Sequence, residues 1–352
     1  MKQQGKWLCN RLSKEEAFEK LAQEDFERKT ISFYRYTKIE NPSELRDELF
    51  AEWMDLGCLG RIYIAEEGIN AQMNVPVPQW EEFITKLYDR PSFKNVPFKI
   101  AVENPTDSFW KLSIKVKLKI VADGLDDPSF DPSDTGAYLE AKEFNKMIDE
   151  GAVVIDMRNH YESEVGHFEN AICPDADTFR EELEIVEKEI VIKTENKDKP
   201  VLMYCTGGIR CEKASAFLKH HGLKRVFHLK GGIIDYAHQV KEQNLENKFK
   251  GVNFVFDNRI AERISDDVIA NCHQCGASCD HHVNCENTAC HLLFIQCEGC
   301  KAKYGGEYCG MKCAEFDALP EEEKKILRKS APQKSDCLQV YKSRLRPKLG
   351  EC

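Results

Sequence analysis

Two patterns of apolar and polar residues share the first third of the chain, and together they predict a sheet with helices packed on it. Short apolar runs typical of β-strands occur at 31–36, 61–65, 71–75 and 98–102. Helical spacing of apolar residues occurs at 42–56, with Pro42 near its start and Gly57 at its end, and again at 78–88. The resulting order, β-α-β-β-α-β, is that of a ferredoxin-like unit.

A further strand is predicted over 111–120, where every second residue is apolar. Five residues are expected to face the core: Leu112, Ile114, Val116, Leu118 and Ile120. The other face carries four lysines, at 111, 115, 117 and 119. These lysines could contact phosphate groups of a nucleic acid, or they could protect an exposed strand edge from pairing with another chain.

The middle of the chain alternates helices with short, wholly apolar runs, which is the pattern of an α/β domain. Buried strands are predicted at 153–156, 201–204 and 226–229. Helices are predicted at 137–149, 179–188, 210–221 and after Gly231 and Gly232. Such alternation implies a parallel sheet with helices on both faces, whose reactive groups gather at the carboxyl ends of the strands.

A stretch rich in Asp, Pro, Ser and Gly, 123–134, predicts a linker between these two units. The fold class is therefore multidomain, α/β together with α+β. We expect a ferredoxin-like domain (1–122), the linker (123–134), an α/β domain (135–258), a cysteine-rich segment (259–316) and a basic tail (317–352).

Composition narrows the class of protein further. The net charge of −10 argues against a general nucleic-acid-binding protein, although nine basic and only two acidic residues fall within 324–352. That tail could contact phosphates or be a solvated chain end. No apolar run approaches the roughly 20 residues that span a bilayer, and the first ten residues lack the apolar core of a secretory signal. We therefore expect a cytoplasmic protein with no membrane partner.

Cys205 is the candidate nucleophile of the α/β domain. It directly follows a predicted buried strand and begins a short loop, Thr206, Gly207, Gly208, Ile209 and Arg210, that leads into a helix. Successive backbone N–H groups and a helix N-terminus aimed at one sulfur lower its pKa and favour the reactive thiolate. A structural cysteine that merely ends a core strand is the competing interpretation.

Nine cysteines between 272 and 313 predict metal binding. Two C-x-x-C pairs, Cys272/Cys275 and Cys297/Cys300, have the spacing of a four-thiolate zinc site. A second group could draw on Cys279, Cys285, Cys290, Cys309 and Cys313. Zinc with a structural role is the default for clustered thiolates, and an iron–sulfur cluster is the alternative. Buried free thiols without a metal would also explain the cluster.

Three motifs in the middle of the chain resemble those of the rhodanese family. Asp156-Met-Arg158, followed by Glu162 and by Gly166-His-Phe-Glu-Asn-Ala171, resembles its D-x-R-x-x-x-E-x-x-x-G-H-I-x-G-A signature. The segment from Cys205 to Arg210 resembles the C-x-x-x-x-R active loop, and Gly231-Gly232 the closing element. We expect Asp156 and Arg158 to pair with each other or with the loop.

The whole chain is similar to a narrower family, the bacterial rhodanese-like tRNA uridine hydroxylases. The segments that carry this resemblance are Arg61 to Ala71, the Cys205 loop, and the region from Cys272 to Cys300. It implies that molecular oxygen is the co-substrate for placing a hydroxyl on C5 of the wobble uridine, position 34, in the tRNA anticodon loop. Cys205 would be the nucleophile or persulfide carrier, and Thr206 to Arg210 would form its backbone cradle.

Other activities are compatible with the same loop. No flavin, nicotinamide or iron-binding fingerprint is evident in the sequence, so it offers no obvious oxygen activator. A sulfurtransferase that carries a persulfide from thiosulfate or a carrier thiol is the main alternative. A phosphatase of this fold would have one more residue between the cysteine and the arginine. A non-enzymatic zinc-bound scaffold is disfavoured because cysteine occupies the nucleophile position.

Overall fold

The structure, a computed structural model, describes residues 13–103, 108–127, 129–191 and 199–330. The predicted basic tail lies outside the described residues from 331 onward. None of the described helices is both long and apolar enough to cross a lipid bilayer.

The first domain is a five-stranded sheet whose apolar face is covered by two helices. After α1 (Lys14–Ala22), its elements are β1 (Arg28–Tyr36), α2 (Pro42–Asp55), β2 (Leu59–Ala65), β3 (Gly68–Pro76), α3 (Trp80–Tyr88), β4 (Lys99–Ile100) and β5 (Leu112–Val116). The strand order is β4-β1-β3-β2-β5. Trp53 of α2 and Phe83 of α3 are buried against Phe33 of β1. The predicted ferredoxin-like unit is therefore confirmed.

The last strand of this sheet is shorter than the alternation predicts. β5 pairs in parallel with β2 as far as Val116, which lies opposite Ile64. β2 ends at Ala65, and the chain then reverses direction into β3. Residues beyond Val116 therefore have no neighbouring strand with which to pair. Leu118 is 98 % exposed and Val116 is 41 % exposed. The expectation that these two residues face the core is wrong, whereas Leu112, Ile114 and Ile120 are buried.

The second domain is a parallel sheet with helices on both faces, as predicted. Its elements are β6 (Ala137–Leu139), α4 (Ala141–Asp149), β7 (Val153–Asp156), α5 (His160–Ser163), β8 (Gly166–Phe168), α6 (Phe179–Val186), β9 (Val201–Tyr204), α7 (Ile209–His220), β10 (Val226–Leu229) and α8 (Gly232–Gln243). The order is β6-β10-β9-β7. Along β9, Val201 and Met203 join one core with α6 and α7, while Leu202 and Tyr204 join another with α4 and α8.

Two features of this domain differ from the sequence predictions. The first residues of the predicted helix 137–149 instead form β6, because their backbone pairs with the free edge of β10, with Tyr138 opposite His228. A small antiparallel sheet was also not predicted. Its order is β12-β11-β8, with β11 (Phe249–Phe254) and β12 (Ala261–Arg263).

The cysteine-rich segment folds around a short hairpin. Its elements are β13 (His282–Asn284), β14 (Leu293–Ile295), α9 (Glu298–Tyr304), α10 (Met311–Asp317) and α11 (Glu321–Ser330). Val283 and Phe294 of the hairpin are buried together with four cysteines. Ile295 joins Val165 and Val252 in a further core, which ties this segment to the second domain.

A buried lysine links the first and second domains. Lys213 lies on α7 and is 1 % exposed. Its Nζ lies 2.8 Å from the carboxylate of Glu67, in the turn between β2 and β3, and 2.6 Å from the carboxylate of Asp123. Glu67 also accepts a hydrogen bond of 2.7 Å from the backbone N–H of Ile120. One ammonium group therefore holds α7, the β2–β3 turn and the interdomain segment together.

We expect Lys213→Met to destabilise the fold by about 3–5 kcal/mol, because it leaves Glu67 without its cation and leaves Asp123 with Lys119 alone. Urea unfolding at neutral pH measures this change. Lys219→Met is the matched control, since Lys219 lies on the same helix in a partly exposed ion pair with Asp134 and should cost no more than about 1 kcal/mol. Equal losses of unfolding free energy for the two substitutions would contradict the role of Lys213 in linking the domains.

Candidate active site at the Cys205 loop

Cys205 lies at the carboxyl end of β9, and the loop that follows wraps its sulfur. The backbone N–H of Gly208 donates a hydrogen bond of 3.1 Å to its Sγ. Gly208 has a φ of 96° and is the N-cap of α7. A Cβ at this position would also lie 2.9 Å from Oη of Tyr34, so both the conformation and the space require glycine. The loop therefore places a helix N-terminus directly at the thiol.

The surroundings of Cys205 favour its thiolate. Burial of the thiol opposes ionisation, but the Cys211 side chain, the charge of Arg210 and the N–H groups of both residues outweigh it and lower the pKa of Cys205 to about 6. The thiol is therefore mostly ionised at neutral pH. Burial and the neighbouring Cys205 raise the pKa of Cys211 well above its usual range, so Cys211 stays a neutral donor.

Arg210 is fixed by a buried carboxylate rather than left free for a ligand. Its two terminal nitrogens donate hydrogen bonds of 2.7 and 2.8 Å to the two oxygens of Glu162. Glu162 lies on α5 and is fully buried. The rhodanese-like signature contains this glutamate, but the sequence did not reveal that it binds the loop arginine. Asp156 and Arg158 pair with each other at 2.7 Å, as expected.

The Gly231-Gly232 element leads into α8, whose first turn contacts the backbone of the Cys205 loop. The N–H of Ile233 donates a 3.0 Å hydrogen bond to the carbonyl oxygen of Cys205, and that of Ile234 donates one of 3.3 Å to Thr206. A Cβ at Gly232 would lie 2.4 Å from the Cys205 carbonyl oxygen. The start of α8 therefore holds the backbone of the loop in place.

The loop faces a cleft of about 390 Å³ between the two domains. The walls come from both sides: Ser32, Tyr34, Arg61, Tyr63, Asn70 and Gln72 from the first sheet, and Cys205, Thr206, Gly207, Ile209 and Arg210 from the loop. The sequence analysis did not single out these six sheet residues, and Asn70 belongs to β3 because that strand begins at Gly68, before the predicted start at 71. A cleft of this size is typical of small-ligand sites.

A larger cavity of about 630 Å³ lies beside α1, away from this loop. Cys58 is the one cysteine among its described lining residues, and burial raises the pKa of that thiol to about 12. The cysteine with a lowered pKa thus lines the smaller cleft.

Glu182 is a second buried acid in this region that the sequence did not single out. It is fully buried on α6, and neither of its carboxyl oxygens has a hydrogen-bond partner among the described residues. Burial raises its pKa well above the usual range, and the charges of Glu162, Asp156 and Cys205 act in the same direction. The surroundings of Glu182 thus favour its neutral carboxylic acid form, although the charge of Arg210 opposes this.

The clustered cysteines form two groups of four. Cys272, Cys275, Cys297 and Cys300 form one group, and Cys285, Cys290, Cys309 and Cys313 form the other. Within each group all four sulfurs lie within 4.8 Å of one another, as illustrated by 3.6 Å between Cys275 and Cys297 and 3.5 Å between Cys309 and Cys313. Neighbouring ligands of a tetrahedral zinc ion, with Zn–S of about 2.3 Å, lie about 3.8 Å apart. Each group of four cysteines therefore fits one metal ion of its own. Cys279 belongs to neither group.

Alkylation of Cys205 is expected to follow a titration with a midpoint near pH 6, because the thiolate is the reactive form. The rate should rise as the pH rises through 6 and become constant above about 7, whereas an ordinary cysteine titrates near 8.5. Iodoacetamide labelling with mass spectrometry of the Cys205 peptide measures this profile. A midpoint near 8.5 would mean that the loop does not activate the sulfur.

Three family models match the chain, one in each structural part. The UPF0176 acylphosphatase like domain matches residues 28–120, the Rhodanese-like domain matches 140–239, and the Rhodanase C-terminal domain matches 250–314. The first corresponds to the ferredoxin-like sheet, the second to the parallel sheet with the Cys205 loop, and the third to the segment with both cysteine groups.

Curated relatives match almost the whole chain. The tRNA uridine(34) hydroxylase of Leptospira interrogans is 54 % identical over 345 residues, covering 98 % of this chain and 92 % of its own length. The tRNA uridine(34) hydroxylase of Salmonella arizonae is 51 % identical over 345 residues, covering 97 % of each chain. The similarity thus extends across all three parts of the chain rather than the central domain alone.

Proposed function

Since the chain belongs to the tRNA uridine(34) hydroxylase family, we propose that it hydroxylates C5 of the wobble uridine of tRNA, with molecular oxygen as co-substrate. The observation that carries this proposal is the activated Cys205 at the floor of a cleft between two domains. The anticodon loop is single-stranded, so its wobble base can turn outward and enter such a cleft without breaking a base pair.

We assign the role of nucleophile to Cys205 and a supporting role to its loop. The N–H of Gly208, the start of α7 and the Arg210 guanidinium stabilise negative charge on the sulfur. Thr206 and Gly207 line the cleft beside the sulfur, and Ile209 begins the helix. Because Arg210 is held by Glu162, this electrostatic support is present before the substrate binds.

The edge of the cleft offers cationic groups for the RNA backbone. Lys115 lies opposite Tyr63 in the sheet, and Nζ of Lys117 lies 5.5 Å from the centre of the Tyr63 ring. Both lysines are exposed, and neither forms an ion pair with a described residue. Lys119, by contrast, pairs with Asp123 at 2.5 Å. We therefore assign phosphate contacts to Lys115 and Lys117, which lie beside Tyr63 of the cleft, and not to Lys119.

We propose that each group of four cysteines holds one zinc ion with a structural role. Thiolates within 4.8 Å of one another suit one shared ion. A cubane iron–sulfur cluster would spread the four sulfurs farther apart, because each binds a different iron. One zinc ion would crosslink the chain before the hairpin to α9, and the other would crosslink the loop of the hairpin to α10. The small core of this segment contains the four cysteines of the second group.

A sulfurtransferase is the second candidate, and the same loop supports it. The N–H groups that stabilise a thiolate at Cys205 would equally stabilise the terminal sulfur of a persulfide. Thiosulfate could supply that sulfur with release of sulfite, or a persulfide on a carrier could supply it with release of the carrier thiol. The family relationship favours hydroxylation, so the two activities need a direct comparison.

Nucleoside analysis of total tRNA separates the two functions. Cells that lack this protein and its relatives should lose 5-hydroxyuridine derivatives, and the native chain should restore them. The purified protein should also produce 5-hydroxyuridine in tRNA from those cells only when oxygen is present. An unchanged nucleoside profile, together with sulfur transfer from thiosulfate to cyanide, would replace the proposal with the sulfurtransferase.

A further inference from the structure

Two side-chain amides of the cleft wall have no hydrogen-bond partner in the part of the chain that the structure describes. Asn70 and Gln72 are half-buried on β3, and neither side chain hydrogen-bonds to a described residue. Because alternate residues of a strand face the same side, the two amides lie next to each other on the cleft face. Their donors and acceptors are therefore available to a ligand with a polar edge that enters the cleft.

Strand register surrounds the amide pair with a regular set of side chains. Asn70 lies directly between Tyr34 of β1 and Tyr63 of β2, whereas Gln72 lies between Ser32 and Arg61. Directly opposite residues in an antiparallel pair have Cβ atoms about 5 Å apart. The face therefore presents two amides in the middle, an aromatic ring on either side of Asn70 and a cation beside Gln72.

The two aromatic rings differ in how firmly they are held. Tyr34 donates a hydrogen bond of 2.9 Å to Glu212 of α7, and Nζ of the buried Lys99 lies 4.2 Å from its ring centre. Tyr63 has no such tie to the second domain among the described residues, and its hydroxyl accepts or donates no hydrogen bond there. Tyr34 is thus held by the second domain, whereas the Tyr63 ring, which Lys117 approaches at 5.5 Å, lines the cleft without a hydrogen bond to a described residue.

The Cys205 loop covers only one side of this face. A Cβ at Gly207 would lie 3.9 Å from Oγ of Ser32, and a Cβ at Gly208 would lie 2.9 Å from Oη of Tyr34. The β1 side is therefore in close contact with the loop, while Arg61, Tyr63 and the two amides border the open part of the cleft. A planar ligand resting on that part would present one edge to the amides and another to Cys205.

We propose that Asn70 and Gln72 bind the polar edge of the flipped uracil, with Tyr63 stacking on its face. The inference rests on the proposed function and adds the base-binding residues to it. Uracil offers two carbonyl acceptors and one N–H donor in a row, and a pair of amides offers matching donors and acceptors. Aromatic stacking with hydrogen bonds to the polar edge is the usual way in which proteins hold an unstacked base. Arg61 and Lys115 lie at the border of this site, where the adjoining phosphates would pass.

Binding of two anticodon stem-loops tests this assignment. One RNA carries uridine at position 34, and the other carries an abasic site there but is otherwise identical. Fluorescence anisotropy gives their dissociation constants for the native chain, Asn70→Ala/Gln72→Ala and the control Gln243→Ala, whose side chain is exposed at the end of α8. Thermal unfolding verifies that all three proteins are folded.

The native chain and the control should bind the uridine RNA about tenfold more tightly than the abasic RNA, since the base adds hydrogen bonds and stacking. The double variant should bind both RNAs with nearly equal affinity and show a raised KM for tRNA. A double variant that keeps the tenfold preference, while the native chain still forms 5-hydroxyuridine, overturns only the base-site assignment. If the native chain forms no 5-hydroxyuridine and shows no preference, the proposed function fails as well.

Discussion

Replacing Cys205 with serine is expected to lower the rate of uridine hydroxylation by at least about 10³-fold, the scale seen when an activated nucleophile is removed. The serine hydroxyl keeps the size of the thiol but does not ionise near neutral pH, so the N–H groups and Arg210 have no anion to stabilise. Single-turnover reactions on tRNA from deficient cells, with mass spectrometry of nucleosides, give the rate.

Cys173→Ser is the matched control for this substitution. Cys173 lies in the same domain, where burial raises the pKa of its thiol to about 12, so it is an unreactive cysteine. Its replacement should leave the rate within about twofold of the native value, as expected for a residue away from the chemistry. A Cys205→Ser protein with a tenth or more of the native rate would show that the sulfur is not the nucleophile.

Replacing Cys309 with serine is expected to release one of two zinc ions and to lower the midpoint of thermal unfolding by about 10 °C, because structural zinc contributes folding free energy directly. Cys309 is buried between Cys290 and Cys313, at 3.7 and 3.5 Å between sulfurs. Losing one of four ligands leaves three thiols around an incomplete site. Elemental analysis and calorimetry measure the two effects.

Cys279→Ser provides the control here, since Cys279 belongs to neither group of four. It should retain two equivalents of zinc and a native unfolding midpoint. Native protein with less than half an equivalent of metal would rule out both sites. If the Cys309→Ser protein retains two equivalents of zinc, only the proposal for the second group of cysteines is wrong.

The sequence predicts correctly those elements whose residue pattern lies within a short segment of the chain. The Cys205 loop, the ferredoxin-like order and the alternating α/β domain all depend on spacing within one or two elements. The errors concern long-range pairing. Tyr138 lies in a strand because its backbone pairs with the edge of β10, about 90 residues away along the chain. Leu118 lies outside β5 because β2, the strand with which it would pair, ends before that point. Neither effect leaves a local trace.

The candidate site shows the same division. Cys205 and Arg210 stand out in the sequence because a short loop joins them. Glu162 binds Arg210 from 48 residues away, and Asn70 faces Cys205 only because two separate domains meet. The C-x-x-C spacing indicated the first group of cysteines, whereas the irregular spacing of the second left Cys279 as an equal candidate. Only the fold separates it from Cys285, Cys290, Cys309 and Cys313.

The ion pairs of Lys213 have a consequence for which RNAs can be substrates. Lys213 lies on the same helix whose N-terminus supports Cys205, and it fastens that helix to Glu67 and Asp123. The width of the cleft is thereby set by buried charges, so opening it would separate an ammonium from two carboxylates in a poorly solvated place. If the cleft keeps its width, the RNA must change its conformation on binding. Flexible loops whose base is loosely stacked would then be substrates, whereas uridines that are paired in a stem would not enter the cleft.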